Sequence, residues 1–282
     1  MTAIEIDTGT DELLCRIEQR VGVITLNKPH KKNALGDILT PALRRTVVIL
    51  EEDDRVGCVM ITGAGDAFCS GGDVGGMGGG GRKSDASDQQ PRKTRKEAIA
   101  ELTHKQVTLT LRIHELAKVT IAALPGAAAG AGLSIALACD LRVASDNAFV
   151  TTAFRNIGLS GDYGASWFLP RLIGLAKAKE LFYCADRVGA EEALRLGLFN
   201  QVFPQDSFRE DAFAYAADIA NGPTNALARM KINLNRGVNQ SLRDSLVLEA
   251  EHLVASMGEA EAAEAIAAFM AKRKPSFHEQ DA

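Results

Sequence analysis

The five cysteines, at positions 15, 58, 69, 139 and 184, are odd in number, scattered, and include no Cys-x-x-Cys pair. No disulfide framework is indicated, and free thiols in a reducing cytoplasm are expected. The five histidines (30, 104, 114, 252 and 278) form no His-x-x-x-His pair and no Cys/His cluster, so no metal site is expected. No Gly-x-Ser-x-Gly elbow exists, which argues against an esterase-type serine. Gly76, Gly78 and Gly81 match G-x-G-x-x-G in form, but no strand leads directly into them, and a dinucleotide site is discarded. Gly81-Arg82-Lys83-Ser84 lacks the Gly-Lys pair of a Walker loop. Basic charge is not in excess: 32 Lys and Arg face 36 Asp and Glu, a formal net charge of −4. That balance argues against bulk binding to nucleic acid or to an anionic membrane. The longest charge-free run, Val119 to Cys139, is interrupted by Pro125 and several glycines and reads as core, not as a membrane span. The opening Met-Thr-Ala-Ile-Glu-Ile-Asp has neither a basic segment nor an apolar signal core, so a cytoplasmic location is expected.

What is present is an ordinary globular composition over 282 residues, 46% hydrophobic and 24% charged, enough for one large domain or a domain with an appendage. Leu13 to Val21 and Val23 to Asn27 read as two strands with a tight turn at Gly22. A basic loop follows, Asn27 to Leu35, and then a helix to about Asp53 for which Asp37 is the candidate cap. Val56 to Thr62, nearly all apolar, reads as a strand buried on both faces. Ala67 to Asp73 is a Gly-rich passage from strand to loop. Val74 to Arg95 is poor in apolar residues and holds Gly78 to Gly81, the composition of a flexible loop. Ile99, Leu102, Leu109, Ile113 and Leu116 fall on one face of a long helix.

The chain is organised around Pro125 to Asp140. An apolar strand ending at Leu124 turns through small residues into a helix without a single charge. A helix opening on Gly126, Gly130 and Gly132 presents free N–H groups and a positive dipole end, suited to a ligand oxygen carrying negative charge. The bland alternative, a tightly packed core helix, is compatible with that role. Further strands are expected at Leu141 to Ala144, Phe149 to Ala153 and Leu198 to Phe203. Recurring strand pairs and helices point to a spiral α/β core. Beyond Ala165 the pattern is mostly helical, with a short helix over Ala190 to Gly197 and a helix started by Pro223. Two apolar faces then follow, one of Leu242, Leu246, Ala250, Leu253 and Met257, the other of Ala262, Ile266 and Phe269.

Four stretches in order carry a resemblance: Asn27-Lys28-Pro29 with Asn33-Ala34-Leu35; Phe68-Cys69-Ser70-Gly71-Gly72-Asp73; Gly126 through Asp140; and Phe269 with Lys272-Arg273-Lys274-Pro275. Together they resemble the crotonase superfamily, the enoyl-CoA hydratase/isomerase family, over nearly the whole chain. The resemblance implies an α/β fold, a crotonase-type spiral of strand-strand-helix units over 1–205, with a helical C-terminal region over 206–282. It implies a homotrimer or a hexamer of two trimers, and an acyl-CoA thioester substrate. No permanently bound cofactor is implied, coenzyme A being part of the substrate. Two backbone amides would hold the thioester oxygen, assigned to Ser70 and Ala131. Lys28, Ala67, Phe68, Gly71, Asp73 and Gly130 fall in the motifs that would border the substrate, although Asp73 and Asp140 also read as structural residues at element ends. Phe269 and Lys272 would reach a neighbouring subunit's coenzyme A.

The chain departs from the hydratase pattern. The two glutamates that would activate water fall at Ser134 and Phe154, and neither position holds an acid. The passage Phe154 to Trp167 is instead similar to enoyl-CoA isomerases, ring-enoyl isomerases and aroyl-CoA dehalogenases, in which a single acid follows Gly-Leu or Gly-Ile by a few residues. Asp162 stands there, with Tyr163 beside it as a candidate lining of the acyl pocket. One carboxylate suffices to carry a proton between C2 and C4 of an enoyl thioester. Burial near Phe154, Tyr163 and Trp167 is expected to raise its pKa. Hydratase activity is the alternative, followed by a dehalogenase-like use of Asp162 as nucleophile or a non-catalytic relative binding coenzyme A or RNA. The basic residues Arg92, Lys93, Arg95 and Lys96 are interspersed near Asp85 and Asp88 and read as a solvated face or a phosphate contact.

Overall fold

A computed structural model describes residues 3–73 and 93–278. The glycine-rich segment over 74–92, with most of the flexible loop expected there, lies outside the described residues. In chain order the elements are β1 (Ile4–Ile6), β2 (Leu13–Glu18), β3 (Val21–Leu26), α1 (Leu39–Glu52), β4 (Cys58–Gly63), β5 (Ala67–Cys69), α2 (Arg95–Gln106) and α3 (Arg112–Glu115). Then come β6 (Val119–Leu124), β7 (Ala127–Ala129), α4 (Ala131–Ala138), β8 (Leu141–Ser145), β9 (Phe149–Thr151), α5 (Ala165–Ile173), α6 (Leu175–Cys184) and β10 (Val188–Gly189). The chain ends in α7 (Ala190–Arg195), β11 (Gln201–Phe203), α8 (Phe208–Ala220), α9 (Thr224–Gly237), α10 (Leu242–Met257) and α11 (Ala260–Met270).

The strands form two sheets, one in the order β1-β2-β3-β4-β6-β8-β11 and a smaller one in the order β10-β9-β7-β5. From β3 onward the large sheet is parallel, as expected for apolar runs buried on both faces. Alternation sorts its side chains. Ile24, Ile61, Ala122 and Ala144 join the main core, while Val23, Met60, Ile121 and Val143 pack against α8 on the other face. Because α8 closes the sheet's second face through Phe208, Ala212, Ala216 and Ala220, the residues just past 205 belong to the core packing. No helix of the described residues is long and apolar enough to cross a membrane.

Several local expectations shift. The β2–β3 turn is made by Gln19 and Arg20, both at positive φ (47° and 67°), a primed-type turn matched to strand twist. Gly22 instead lies within β3, where a Cβ would come 2.8 Å from Leu50 Cδ1. Asp37 does not cap α1, whose N-cap is Ile38 without a side-chain bond, and Pro223 sits at the N-cap of α9 rather than in its first turn. The single helical face from Ile99 to Leu116 is broken by a π-turn over Val107–Leu111 between α2 and α3. The extra residue per turn rotates the register. Leu109, Ile113 and Leu116 are buried while Ile99 and Leu102 face outward. Cys15, Cys58, Cys69 and Cys139 are buried free thiols, and Cys184 is exposed. Burial pushes the thiols of Cys15, Cys69 and Cys139 up to about 12.

One buried ionic cluster ties α9 to the sheet. Asp140 Oδ2 accepts from Thr120 N at 2.8 Å and from Thr120 Oγ1 at 2.9 Å, and lies 2.8 Å from Lys231 Nζ. Lys231 also donates to the carbonyls of Ile113 and Lys118. Its side chain is 6% exposed. Asp140→Ala would leave that ammonium buried without its counterion. We expect a loss of about 3–5 kcal/mol in urea unfolding, largely recovered by adding Lys231→Met. A single-variant loss below about 1 kcal/mol would contradict this account.

Candidate active site

Alternation along the small sheet builds a cleft. Ala67 of β5, Ala127 and Ala129 of β7, and Phe149 and Thr151 of β9 line a cavity of about 700 Å³. Their neighbours Phe68, Ala128 and Val150 point to the other face and are core residues. Of the adjacent pair expected to border the substrate, Ala67 therefore lines the cleft and Phe68 does not. Its side chain is fully buried. Lys28 is also turned away: it is buried, with its ammonium 3.3 Å from Glu12 Oε1. The positive charge lining the cleft comes from Lys32, held by both oxygens of the neighbouring lining residue Asp66 at 2.7 Å, and from Arg187. Neither was singled out by the motifs. Lys32 was visible only as one of several charges in a basic loop. Asp73 pairs with Lys31 at 2.8 Å, the structural role its position suggested.

Beside this cleft the sequence assignment of the two amides needs one correction. The Ser70 amide donates to the Lys32 carbonyl at 2.9 Å and is not free for a ligand. The next outward-facing amide is that of Gly72. Leu35 N donates to Gly71 O, and Asp73 N donates to Leu35 O, a parallel bridge centred on Gly72. In such a ladder the central residue's own N–H points to the opposite side. Among the described residues it has no partner, and the same is true of the Ala131 amide at the start of α4. Two close approaches bring these amides together. A Cβ on Gly71 would lie 2.9 Å from Ala129 O and 3.4 Å from Ala131 N. One on Gly132 would lie 2.4 Å from Cys69 O. Gly130, with φ of 52°, makes the turn from β7 into α4.

One helical turn further along α4, Ser134 is fully buried, and its hydroxyl lies 2.9 Å from the Asp162 carbonyl and 3.2 Å from that of Gly130. It is thus satisfied by backbone rather than poised toward a ligand. Phe154 is buried, stacked on Phe182, with its ring 3.7 Å from where a Gly130 Cβ would be and 3.6 Å from the equivalent point at Gly161. Tyr163 is buried as well, its hydroxyl accepting from Arg44 Nη2 at 3.4 Å. Trp167 is instead 36% exposed, under the Arg171 guanidinium and edge-on to His114. An apolar cavity of about 240 Å³ adjoins the 161–164 turn, bounded by Gly164, Val107, Leu111, Trp167 and Phe168. Phe269 is 82% exposed and Lys272 is exposed, and neither lines the cleft of its own chain.

The Asp162 carboxyl is the group left over. Its Oδ1 is out of contact with solvent and has no hydrogen-bond partner among the described residues. Burial pushes its pKa above the ordinary value of 3.8. The folded chain therefore holds this proton more tightly than the unfolded chain. Its stabilising contribution is full below the unfolded pKa and is lost as pH rises through the folded one. Asp162→Asn should be more stable than wild type at pH 7, with the two unfolding curves converging below about pH 4. A stability gap that stays constant between pH 3 and 7 would contradict the assignment.

Comparison with known proteins identifies the family of the chain. The family model described as enoyl-CoA hydratase/isomerase matches residues 16–280. A probable enoyl-CoA hydratase of Rhodobacter capsulatus is 35% identical, aligned over 93% of this chain and 95% of its own. The 1,2-epoxyphenylacetyl-CoA isomerase of Escherichia coli is 31% identical over 94% of this chain and 97% of its own. A 4-chlorobenzoyl coenzyme A dehalogenase of an Arthrobacter species is also 31% identical, over 92% and 91%. The crystal structure of an enoyl-CoA hydratase from a Polaromonas species superposes with a TM-score of 0.84 at 32% identity, covering 94% of this chain and 99% of that one. With a family match that runs almost end to end and a solved structure that superposes over nearly its whole length, the chain belongs to the enoyl-CoA hydratase/isomerase family of the crotonase superfamily.

Proposed function

We propose that this enzyme moves the double bond of an enoyl-CoA thioester, with Asp162 as its single proton carrier. The observation that carries the reading is the buried, unpartnered Oδ1 of Asp162. The structural carboxylates Glu12 and Glu51 also have one buried oxygen without a hydrogen bond, but each is ion-paired, to Lys28 and Arg112. Asp162 has no ion pair among the described residues, as a group that must exchange a proton with its substrate requires. Asp162 takes a proton from C2 of a 3-enoyl thioester. The electron pair spreads over the dienolate, whose oxygen is held by the amides of Gly72 and Ala131, and the proton returns from Asp162 to C4. Amides fixed in advance by a bridge and a helix start need no reorganisation as charge develops. The elevated pKa supports both halves of the cycle, since the same group must accept and then give up the proton.

Two-carboxylate hydration is less well supported, because Ser134 is bonded to backbone and Phe154 is an apolar core residue. The coenzyme A part of the substrate occupies the cleft on the small sheet, and its phosphates meet Lys32 and Arg187. The enzyme forms a homotrimer or a pair of trimers through its C-terminal helices, where Leu242, Leu253, Met257, Ile266, Phe269 and Met270 are more than half exposed.

In heavy water with 3-hexenoyl-CoA, wild type is expected to exchange protons at the thioester and to move the bond from position 3 to 2. Asp162→Asn should lose both by roughly 10²–10⁴-fold. Hydration surviving that substitution would replace the isomerase reading with the hydratase one. Ala131→Pro deletes one oxyanion donor at the helix position that best tolerates proline, and kcat should drop by roughly 10²–10³-fold. Light scattering should give three or six times the 30.1 kDa chain mass. A stable monomer would rule out the assembly.

A further inference from the structure

The turn that carries Asp162 is costly to hold. Gly161, Tyr163 and Gly164 have φ of 104°, 51° and 88°, and a tyrosine in the left-handed region is strained. Such backbone persists only where its surroundings over-determine it. Three side chains do so. From α4, Ser134 Oγ donates to the Asp162 carbonyl at 2.9 Å. From α1, Arg44 Nη2 donates to the Tyr163 hydroxyl at 3.4 Å. From the end of α2, Gln106 Oε1 accepts from the Tyr163 amide at 2.9 Å.

The first and third bonds hold the two ends of one planar peptide, Asp162–Tyr163: Ser134 holds its carbonyl and Gln106 its N–H. Gln106 alone restrains the N–H end, and so helps set the plane of the peptide that directly follows the Asp162 side chain. Gln106 stands at the junction of α2 with the π-turn over Val107–Leu111, and its own carbonyl accepts from Thr110 Oγ1 at 3.1 Å. A widened turn at this junction is a local cost with no packing gain of its own on the outer face, where Val107 and Leu111 are exposed. The residue type is informative too. Glutamate would offer the same acceptor but set a second negative charge beside Asp162, and leucine would offer none. Glutamine accepts without charge.

We infer that Gln106 is a positioning residue, its side-chain carbonyl fixing the Asp162–Tyr163 peptide so that Asp162 Oδ1 stays out of solvent and unpartnered. The inference rests on Asp162 being the proton carrier. The charged groups facing this turn are Arg44 of α1 and Lys105 of α2, both felt at the Tyr163 hydroxyl, together with Asp162 itself.

The test is a carbon-detected NMR titration of the Asp162 carboxyl in the full chain, with Gln106→Leu and Gln106→Glu compared with wild type. Rates on 3-hexenoyl-CoA and melting temperatures are measured in parallel. In Gln106→Leu the Asp162 midpoint should fall toward the ordinary carboxylate range. Its kcat should drop roughly 10- to 100-fold, with KM within about twofold. Gln106→Glu keeps the acceptor, so kcat should recover to within about fivefold of wild type, while the like charge moves the Asp162 midpoint further up. An unmoved midpoint in either variant overturns the inference, and the glutamate variant alone suffices for this if the leucine variant does not fold. Equal loss of rate in both variants, tracking a lower melting temperature, would make Gln106 merely structural. Full activity in Asp162→Asn with a shifted midpoint in Gln106→Leu would overturn the catalytic reading and leave the positioning one standing.

Discussion

The contact on which the site depends is the approach of the start of α4 to the end of β5. At Gly132 there is no room for even one carbon beyond the backbone, because the Cys69 carbonyl occupies that space. Cores are packed as densely as organic crystals, so such a contact transmits position with little slack. It sets Ala131 next to the Gly71–Gly72 peptide. Amides from segments about sixty residues apart are thereby brought close together, as the proposed site for a thioester oxygen requires. The small sheet continues the same logic: one face of each short strand is sealed into the core, and the other is the floor of the cleft.

The large features were readable in the sequence because they depend on local pattern. Runs such as Val56 to Thr62 and Val119 to Leu124 are apolar without alternation, and both became central parallel strands. The charge-free stretch from Gly130 to Cys139 became a buried helix over Ala131–Ala138. Asp162 was legible as a lone acid in a glycine turn, though the desolvation of its carboxyl is a product of tertiary packing. The misreadings arose where a long-range partner decides the outcome. Ser70 lost its amide to Lys32, 38 positions earlier, and Lys28 was drawn inward by Glu12. Ala67 and Phe68 are adjacent in sequence, and only the pairing of β5 with β7 determines which of them faces the cleft. The π-turn after Gln106 has no composition signature, so a helical period counted through it goes out of phase.

The charged interior is arranged differently from the site. Asp140 and Lys231 neutralise each other and are further bonded by Thr120 and two carbonyls, so a buried charge there is fully answered. Asp162, whose carbonyl is held by Ser134 of α4, is left unanswered on one oxygen. The first arrangement fastens α9 to the sheet. The second leaves a carboxylate oxygen without a partner at the cost of some stability, which the proposed proton transfer would explain.

The distribution of thiols has a practical consequence. Four are sealed in the interior, and burial raises the pKa of each, which keeps them in the unreactive protonated form at neutral pH. Cys184 alone is exposed, at the end of α6 and one residue before Ala185 on the cleft wall. A maleimide dye would therefore find one address on the native chain without any engineering, and its fluorescence would report the filling of the neighbouring cleft.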